Sequence, residues 1–438
     1  MSIGSSATAV YQLYQNYKEQ VARQYDRYRN SDGIIFIPLV LLALYEIVGH
    51  YFWLLSTKGL PQSADSKWYM EYARCIRINL TDGLDINDVL YFGYNFLLSV
   101  LLDICREPAT VVLVQAVTAS LSVILVYKIA KLLFNKTTAV IASIFYCKTY
   151  DITLWSMYVL SDSFFVSLLL LCVYLLLMSF ESDKEIYKIF FAVTSLYMLV
   201  FRPTGILTMA SILIYILIRL PRNTILGFVS KYRALVGGLA AAVFAVLIYL
   251  FLDNQLDLFI QSMQFNAKKV LYNVYAKGWI YDLPSPHDYF FRPDYRINVC
   301  NSLVLSFIIN NWDHVFIIYA KRAAAFLGRW VWAINFQSVS GFLKFADQVL
   351  LVTLFLTGTI AAIYNKVFRK ATIVWLIILA VFLFCIVIFI DWMYRYRLPA
   401  VPFIAIVTAY GAERTLHYLF TCVKKPMGML FAWIKEKS

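Results

Sequence analysis

Long apolar stretches separated by short charged turns set the pattern of this chain. A helix needs roughly 17 to 25 apolar residues to cross the hydrocarbon of a bilayer, and about ten runs of that kind are readable. They cover 34–56, 110–130, 137–157, 160–180, 187–201, 204–219, 234–252, 343–364, 372–391 and 398–418. The turns at 131–136 and 181–188 are tight and charged, as between helices that run up and down side by side. Two longer stretches break the rhythm, 57–109 and 253–342. In the first, 64–74 reads as a short helix with a polar start. The apolar run 89–102 is short and ends in Asp103, Arg106, Glu107 and Pro108, so it reads as a helix lying in the interface. In the second, Leu283-Pro-Ser-Pro-His287 and Phe291-Arg-Pro-Asp294 are loop-like. Residues 303–335 then mix apolar positions with Lys321, Arg322 and Arg329, as interfacial helices do. The predicted architecture is an all-α integral membrane protein of about ten transmembrane helices with extracytoplasmic juxtamembrane helices.

Composition agrees. The chain is 61% hydrophobic and 15% charged, with a mean hydropathy of +0.68, beyond the apolar content of soluble domains. The net charge of +13 raises the question of nucleic acid, but its distribution answers it. With the N-terminus in the cytoplasm, the inner segments carry 21 Lys/Arg against 8 Asp/Glu, counting charged span ends with the segment they border. The outer segments hold 18 Lys/Arg and 17 Asp/Glu, and Glu46 lies within a span. This is the positive-inside asymmetry, so the basic excess reports topology and no nucleic-acid partner is expected. Both termini are then cytoplasmic and the two long loops extracytoplasmic. Seven scattered cysteines without a CxxC give neither a disulfide framework nor a metal cluster.

Three regions follow. Residues 1–33 interleave Tyr11, Tyr14, Tyr17, Tyr25 and Tyr28 with Lys18, Arg23, Arg27 and Arg29. They read as a helix on the cytoplasmic lipid surface or as a frayed helical tail. This polar stretch is too long for the n-region of a cleavable signal, so the first apolar run is an anchor. Residues 34–418 form the polytopic domain with outer loops 57–109 and 253–342, and 419–438 are a basic cytoplasmic tail.

Candidate chemistry gathers at the membrane edges. Asp65, just beyond the first span, has the position of a general base for a hydroxyl acceptor or of a metal ligand. The bland alternative is a helix cap or first-turn acid favoured by the dipole. Arg202-Pro203 follows the fifth span, and Arg395 and Arg397 sit above a Leu-Pro-Ala-Val-Pro break. An edge arginine either snorkels or grips a phosphate with its planar fork; Lys67 is a further phosphate candidate. Asp162 opens the fourth span as a functional acid or a helix cap. Glu46 and His50, four apart, share a face and form an expected pair inside the bundle. His287 is either an acceptor or metal contact or an exposed loop residue. Tyr69, Tyr94, Asp162, His287 and Asp391 are the candidates for an acceptor or sugar pocket. There is no P-loop, GxGxxG or DxD signature to support nucleotide-driven chemistry.

Taken in order, these motifs resemble the GT-C class of membrane glycosyltransferases, and within it the bacterial branch related to protein O-mannosyltransferases and lipid A aminoarabinose transferases. Asp65-Ser-Lys-Trp-Tyr-Met-Glu-Tyr-Ala-Arg74 is similar to the outer-loop Asp-Glu-x-x-Tyr-x-x-x-Ala motif, with Ser66 in place of the second acid. Gly93-Tyr94 with Phe96-Leu97-Leu98 is similar to a Gly-Tyr-Pro-Leu-Leu segment, Asn95 replacing the proline. Gln115 and 126–134 look like the second span and basic turn. Leu160-Ser-Asp162 takes a Thr/Ser-Glu position, Arg202-Pro203 an Arg-Pro, and Tyr394-Arg-Tyr-Arg-Leu-Pro-Ala-Val-Pro402 an Arg-Tyr-x-Leu-Pro-x-x-Pro. The resemblance spans about residues 34 to 415.

The resemblance implies a GT-C fold and transfer of a sugar from a polyprenyl-phosphate carrier to a glycan, lipid or protein acceptor of the cell envelope on the outer face. Asp65 is then the acceptor base and a possible contact for a divalent metal, and Arg202, Arg395 and Arg397 face the lipid phosphate. With no second carboxylate nucleophile in evidence, a single inverting displacement is the preferred course. Three other readings stand beside it: an outer-face polysaccharide polymerase or ligase using diphosphate-linked glycans, a lipid-linked glycan transporter or flippase, and a non-catalytic scaffold. A transporter favours ionisable groups and broken helices at midplane depth, whereas the acids here gather in the outer loops.

Overall fold

The computed structural model describes Tyr17, residues 33–79 and 86–221, scattered positions between 223 and 248, 279–280, 283–284, 294–300, 302–328, 336–387 and 393–437. Helices dominate. In chain order they are α1 (Gly33–Thr57), α2 (Ala64–Asn79), α3 (Ile86–Cys105), α4 (Pro108–Leu133), α5 (Lys136–Lys148), α6 (Tyr150–Trp155), α7 (Ser161–Glu181), α8 (Glu185–Leu199) and α9 (Thr204–Arg219). After them come α10 (Leu303–Asn310), α11 (Trp312–Phe326), α12 (Val339–Tyr364), α13 (Phe368–Val387), α14 (Met393–Arg397) and α15 (Val401–Lys437). Two two-residue strands, Trp279–Ile280 and Leu283–Pro284, pair antiparallel.

Among the described residues, five helices are long and apolar enough to cross a membrane: α1, α4, α7, α12 and α13, the last over Phe368–Ile386. This is fewer than the ten runs of the hydropathy pattern. The difference lies partly in length, since α5 has 13 residues and α8 has 15. At 1.5 Å per residue such helices are about 20 Å long, short of a hydrocarbon core. It lies partly in a break: the expected span 137–157 stops at Lys148, turns through an extended Thr149 and restarts as α6. The run 234–252, the N-terminal helix and the loop acids Asp82 and Asp85 lie largely or wholly outside the described residues.

Packing follows from small residues and paired polar groups. α12 and α15 approach through Gly358 and Gly411, where an added Cβ would strike the carbonyls of Val407 and Leu354. α9 is tied to α13 by Tyr215, whose hydroxyl donates to the Lys370 carbonyl at 2.8 Å. α3 docks on the turn between α8 and α9 at Gly93. Its amide donates to Val200 O at 2.7 Å and its carbonyl accepts from the Tyr197 hydroxyl at 2.8 Å. A Cβ there would sit 3.1 Å from the same Val200 oxygen, so only glycine allows the approach without displacement. α1 carries Pro38 and a π-helical turn at Leu44–Val48, a feature that bends a helix and re-aims its side chains.

Two expectations are corrected here. Glu46 does not pair with His50: its carboxylate meets Lys148 at 2.5 Å across to α5, while His50 stacks on Trp53. The helices α10 and α11 are present in the stretch read as interfacial. Arg322 of α11, however, is buried and donates to the Cys385 carbonyl at 3.3 Å. It pins this helix to α13 instead of reaching for solvent.

Candidate active site

The polar start of α2 is set by a reciprocal cap. Ser63 Oγ accepts from the Ser66 amide at 3.0 Å, and Ser66 Oγ accepts from the Ser63 amide at 3.3 Å. This is the geometry of a capping box with serine as its second member. It explains the use of Ser66 and relieves Asp65 of a capping role. Asp65 remains a first-turn acid, favoured by the helix dipole, with its carboxylate turned outward to Arg395.

From Asp65 a row of alternating charges runs inward. Arg395 Nη1 meets Asp65 Oδ2, Arg395 Nε meets Asp162 Oδ2 at 3.0 Å, and Asp162 Oδ1 meets Arg202 Nη1. The side-chain exposures drop from 50% for Asp65 to 12% for Arg395, and Asp162 and Arg202 are buried at 0% and 2%. Four segments therefore converge, namely the starts of α2 and α7, the turn after α8, and α14. Arg202 opens the Arg-Pro turn, where Pro203 supplies a fixed φ for the start of α9. The two buried ions compensate each other, which is the only economical way to place them away from water.

Aromatic rings enclose the row. Tyr396 lies under both guanidiniums, 5.3 Å from Arg202 and 5.7 Å from Arg395, and Trp155 faces Arg395 at 6.0 Å. Burial pushes the Tyr396 hydroxyl up to about 12, against the pull of the two guanidiniums. Tyr69 packs edge-on against Tyr94 at 4.9 Å, and its hydroxyl lies 3.3 Å from Ser161 Oγ. Its hydroxyl is raised well above the ordinary value by the same desolvation. Tyr94 is fully buried and packs edge-on against Phe201.

The candidates thus fall into groups. Asp65, Tyr69, Tyr94, Asp162, Arg202 and Arg395 are brought together. Lys67 is exposed on α2, two residues beyond Asp65. Arg397 turns to a different set of partners: Nη2 donates to Asp151 Oδ2 at 2.7 Å, and Nη1 donates to the Phe326 carbonyl at 2.7 Å. His287 and Asp391 lie outside the described residues.

Asp151 and the rings of Tyr396 and Trp155 are the members that sequence reasoning missed. Asp151 carried a signal: an acid inside an apolar run is a functional hypothesis by default. Its burial beside Arg397 also shows that the expected spans hold more ionisable groups than Glu46. Gln115 supports the same region by donating from Nε2 to the Ser156 and Tyr158 carbonyls at 3.0 and 2.8 Å, which holds the loop into α7.

A divalent cation was a possible guest at Asp65. Among the described residues no group of three or more His, Cys, Asp or Glu side chains is placed to hold one. The Asp65 carboxylate faces a guanidinium. A hard cation asks for several oxygen ligands, so the described donor set at Asp65 does not suit it.

Residues 92–250 match the model of the dolichyl-phosphate-mannose-protein mannosyltransferase family. That match supports a membrane glycosyltransferase of the GT-C type. It takes in Tyr94, Asp151, Asp162 and Arg202, while Asp65 and α14 lie beyond it. No curated protein matches the chain.

Proposed function

We propose that the protein transfers a sugar from a polyprenyl-phosphate carrier to a cell-envelope glycan, lipid or protein at the extracytoplasmic face of a cell membrane. The observation that carries this reading is the contact between Asp65, the one half-exposed carboxylate of the row, and Arg395, its one partly exposed guanidinium. A base and an anion-binding group stand side by side at the mouth of a buried charge network. Transfer from a phosphate carrier needs that juxtaposition.

The proposed step is a single displacement. The acceptor oxygen attacks the anomeric carbon and a C–O bond forms there. The bond from that carbon to the carrier phosphate breaks with its electron pair on the phosphate oxygen, and the acceptor proton passes to the Asp65 carboxylate. Attack opposite the leaving group inverts the anomeric centre. Arg395 and Lys67 offer donors to the leaving phosphate at the surface, and Arg202 and Arg397 stand behind them as fixed positive charge. Asp162, held by Arg202, aims the Arg395 fork through its Nε and leaves Nη1 facing outward. An incoming phosphate competes with Asp65 for that Nη1 and so frees the carboxylate for the acceptor hydroxyl. Tyr69 and Tyr94 pack behind Asp65 and hold the α2–α3 side of the site.

The test is a purified-protein assay in nanodiscs with radiolabelled polyprenyl-phosphate sugars and a membrane extract as acceptor. Transfer by the wild type and none by Asp65→Asn supports the assignment. Equal activity in both moves the base elsewhere, and no consumption of any monophosphate donor rejects this donor class.

A further inference from the structure

α14 has only five residues, yet its two arginines serve opposite sides. Residues two apart on a helix point about 200° away from each other. Accordingly Arg395 faces Asp65 and Asp162, whereas Arg397 faces Asp151. On the Arg397 side lies a cavity of about 520 Å³ between α5, α12 and α15. α15 packs against both of the other helices, and the cavity fills the gap left between them.

Its lining is polarised along the helix axes. Along the walls stand Ile144, Phe145, Leu351, Ile404 and Ala405. At the end next to α14 stand the Asp151–Arg397 ion pair and Lys148, and Asp347 and Gln348 of α12 complete the polar part of the lining. Lys148 is exposed and keeps two ammonium hydrogens beyond its bond to Glu46. Ile144 and Leu351 of this lining are exposed apolar residues, and Leu350, beside Leu351 on membrane-length α12, is exposed as well. A slot walled mostly by apolar residues, bordered by exposed apolar side chains of a membrane-length helix and lined at one end by charged groups of both signs, has the polarity of one zwitterionic bilayer lipid. A wholly polar ligand would meet apolar walls over most of its surface.

We propose that this cavity binds a bilayer phospholipid, with one acyl chain along α5, α12 and α15 and its polar head at Asp151, Arg397 and Lys148. The site is separate from the one proposed for the carrier phosphate, because α14 stands between them. Its occupant touches the turn that aims Arg395, so it braces the catalytic arm from behind. Binding of this lipid does not depend on the transfer reaction.

The experiment uses full-length protein in nanodiscs made with a phosphatidylcholine carrying a diazirine in its acyl chain. After irradiation the labelled peptides are mapped by mass spectrometry. Label on 144–151 and 401–408 is expected in the wild type. It falls about tenfold, the equivalent of roughly 1.4 kcal/mol, in Ala405→Trp, which fills the slot. Leu351→Trp fills it from the opposite wall and serves if Ala405→Trp lowers the thermal transition. Excess polyprenyl phosphate leaves the label unchanged. No label on these peptides, or label at the wild-type level in both tryptophan variants, overturns the proposal. Displacement by polyprenyl phosphate overturns it as well, by giving the slot to the carrier's own chain. None of these outcomes reads sugar transfer, so the proposed enzyme activity can fail while the lipid site stands, and the reverse.

Discussion

Asp162 and Arg202 form an ion pair in which neither side chain reaches solvent beyond 2%. Forty residues of chain and two helices separate them, so the pair fastens the start of α7 to the turn between α8 and α9. Breaking a buried pair by removing one ion costs about 3–5 kcal/mol where the other is left uncompensated; Asp162 keeps Arg395 at 3.0 Å, which places the loss toward the lower end. Arg202→Ala is therefore expected to lower the thermal transition sharply, and Asp162→Leu with Arg202→Met to recover much of the loss. Equal transitions for Arg202→Ala and the wild type would show that the pair contributes little.

Asp65 is the opposite case. Half-exposed pairs contribute only about 0–1 kcal/mol, so Asp65→Asn should leave unfolding almost unchanged. Loss of a general base costs roughly 10²–10⁴ in rate. A fall of that size in kcat, with donor affinity retained or raised because Arg395 loses a competing carboxylate, is the expected result from donor titrations and single-turnover transfer.

Arg395→Lys tests the fork. A guanidinium reaches Asp65 and Asp162 at once through Nη1 and Nε, while an ammonium is a point charge on a flexible stem. The lysine variant should keep the charge yet lose the link between the two carboxylates. The donor KM is then expected to rise about tenfold, one bidentate-sized loss of roughly 1.4 kcal/mol. An unchanged KM would remove Arg395 from the donor site.

Gly411 and Gly49 give a contrast in packing. A Cβ at Gly411 runs into the Leu354 carbonyl of α12, whereas one at Gly49 meets nothing within 4 Å. Gly411→Ala should destabilise by about 1–3 kcal/mol through overpacking. Gly49→Ala, in α1, should be neutral or stabilising by up to about 1 kcal/mol. Thermal melts of the two variants side by side decide it.

The Tyr396 hydroxyl titrates near 12 in the folded protein against an ordinary value of 10. The folded state thus holds its proton longer than the unfolded chain. The sign follows: the stability contribution is fully present below pH 10 and is lost as pH rises toward 12. Unfolding followed across that window should show a decline that Tyr396→Phe reduces, with no Tyr396 step nearer neutrality.

Periodicity and charge along the chain were enough to specify a helical membrane protein, the helices α1, α4, α7, α12 and α13, and the positions of Asp65, Arg202 and Arg395 at helix ends. These are local properties: hydropathy is summed over neighbours, and a helix end is marked by its own polar residues and prolines. The partners were decided only by the tertiary structure. Arg395 meets Asp162 across 233 residues and Asp65 across 330, and Arg397 meets Asp151 across 246. No spacing rule acts at such separations. The break between α5 and α6 was hidden for the same reason. Residues 137–157 satisfy the hydropathy of a span, but Asp151 is buried against Arg397 of a helix far along the chain, and the backbone turns at Thr149 to place it there. Glu46 shows the limit within one helix. Four-residue spacing put His50 on its face, yet Lys148 of α5 takes the carboxylate at 2.5 Å, a partner that no spacing within α1 reveals.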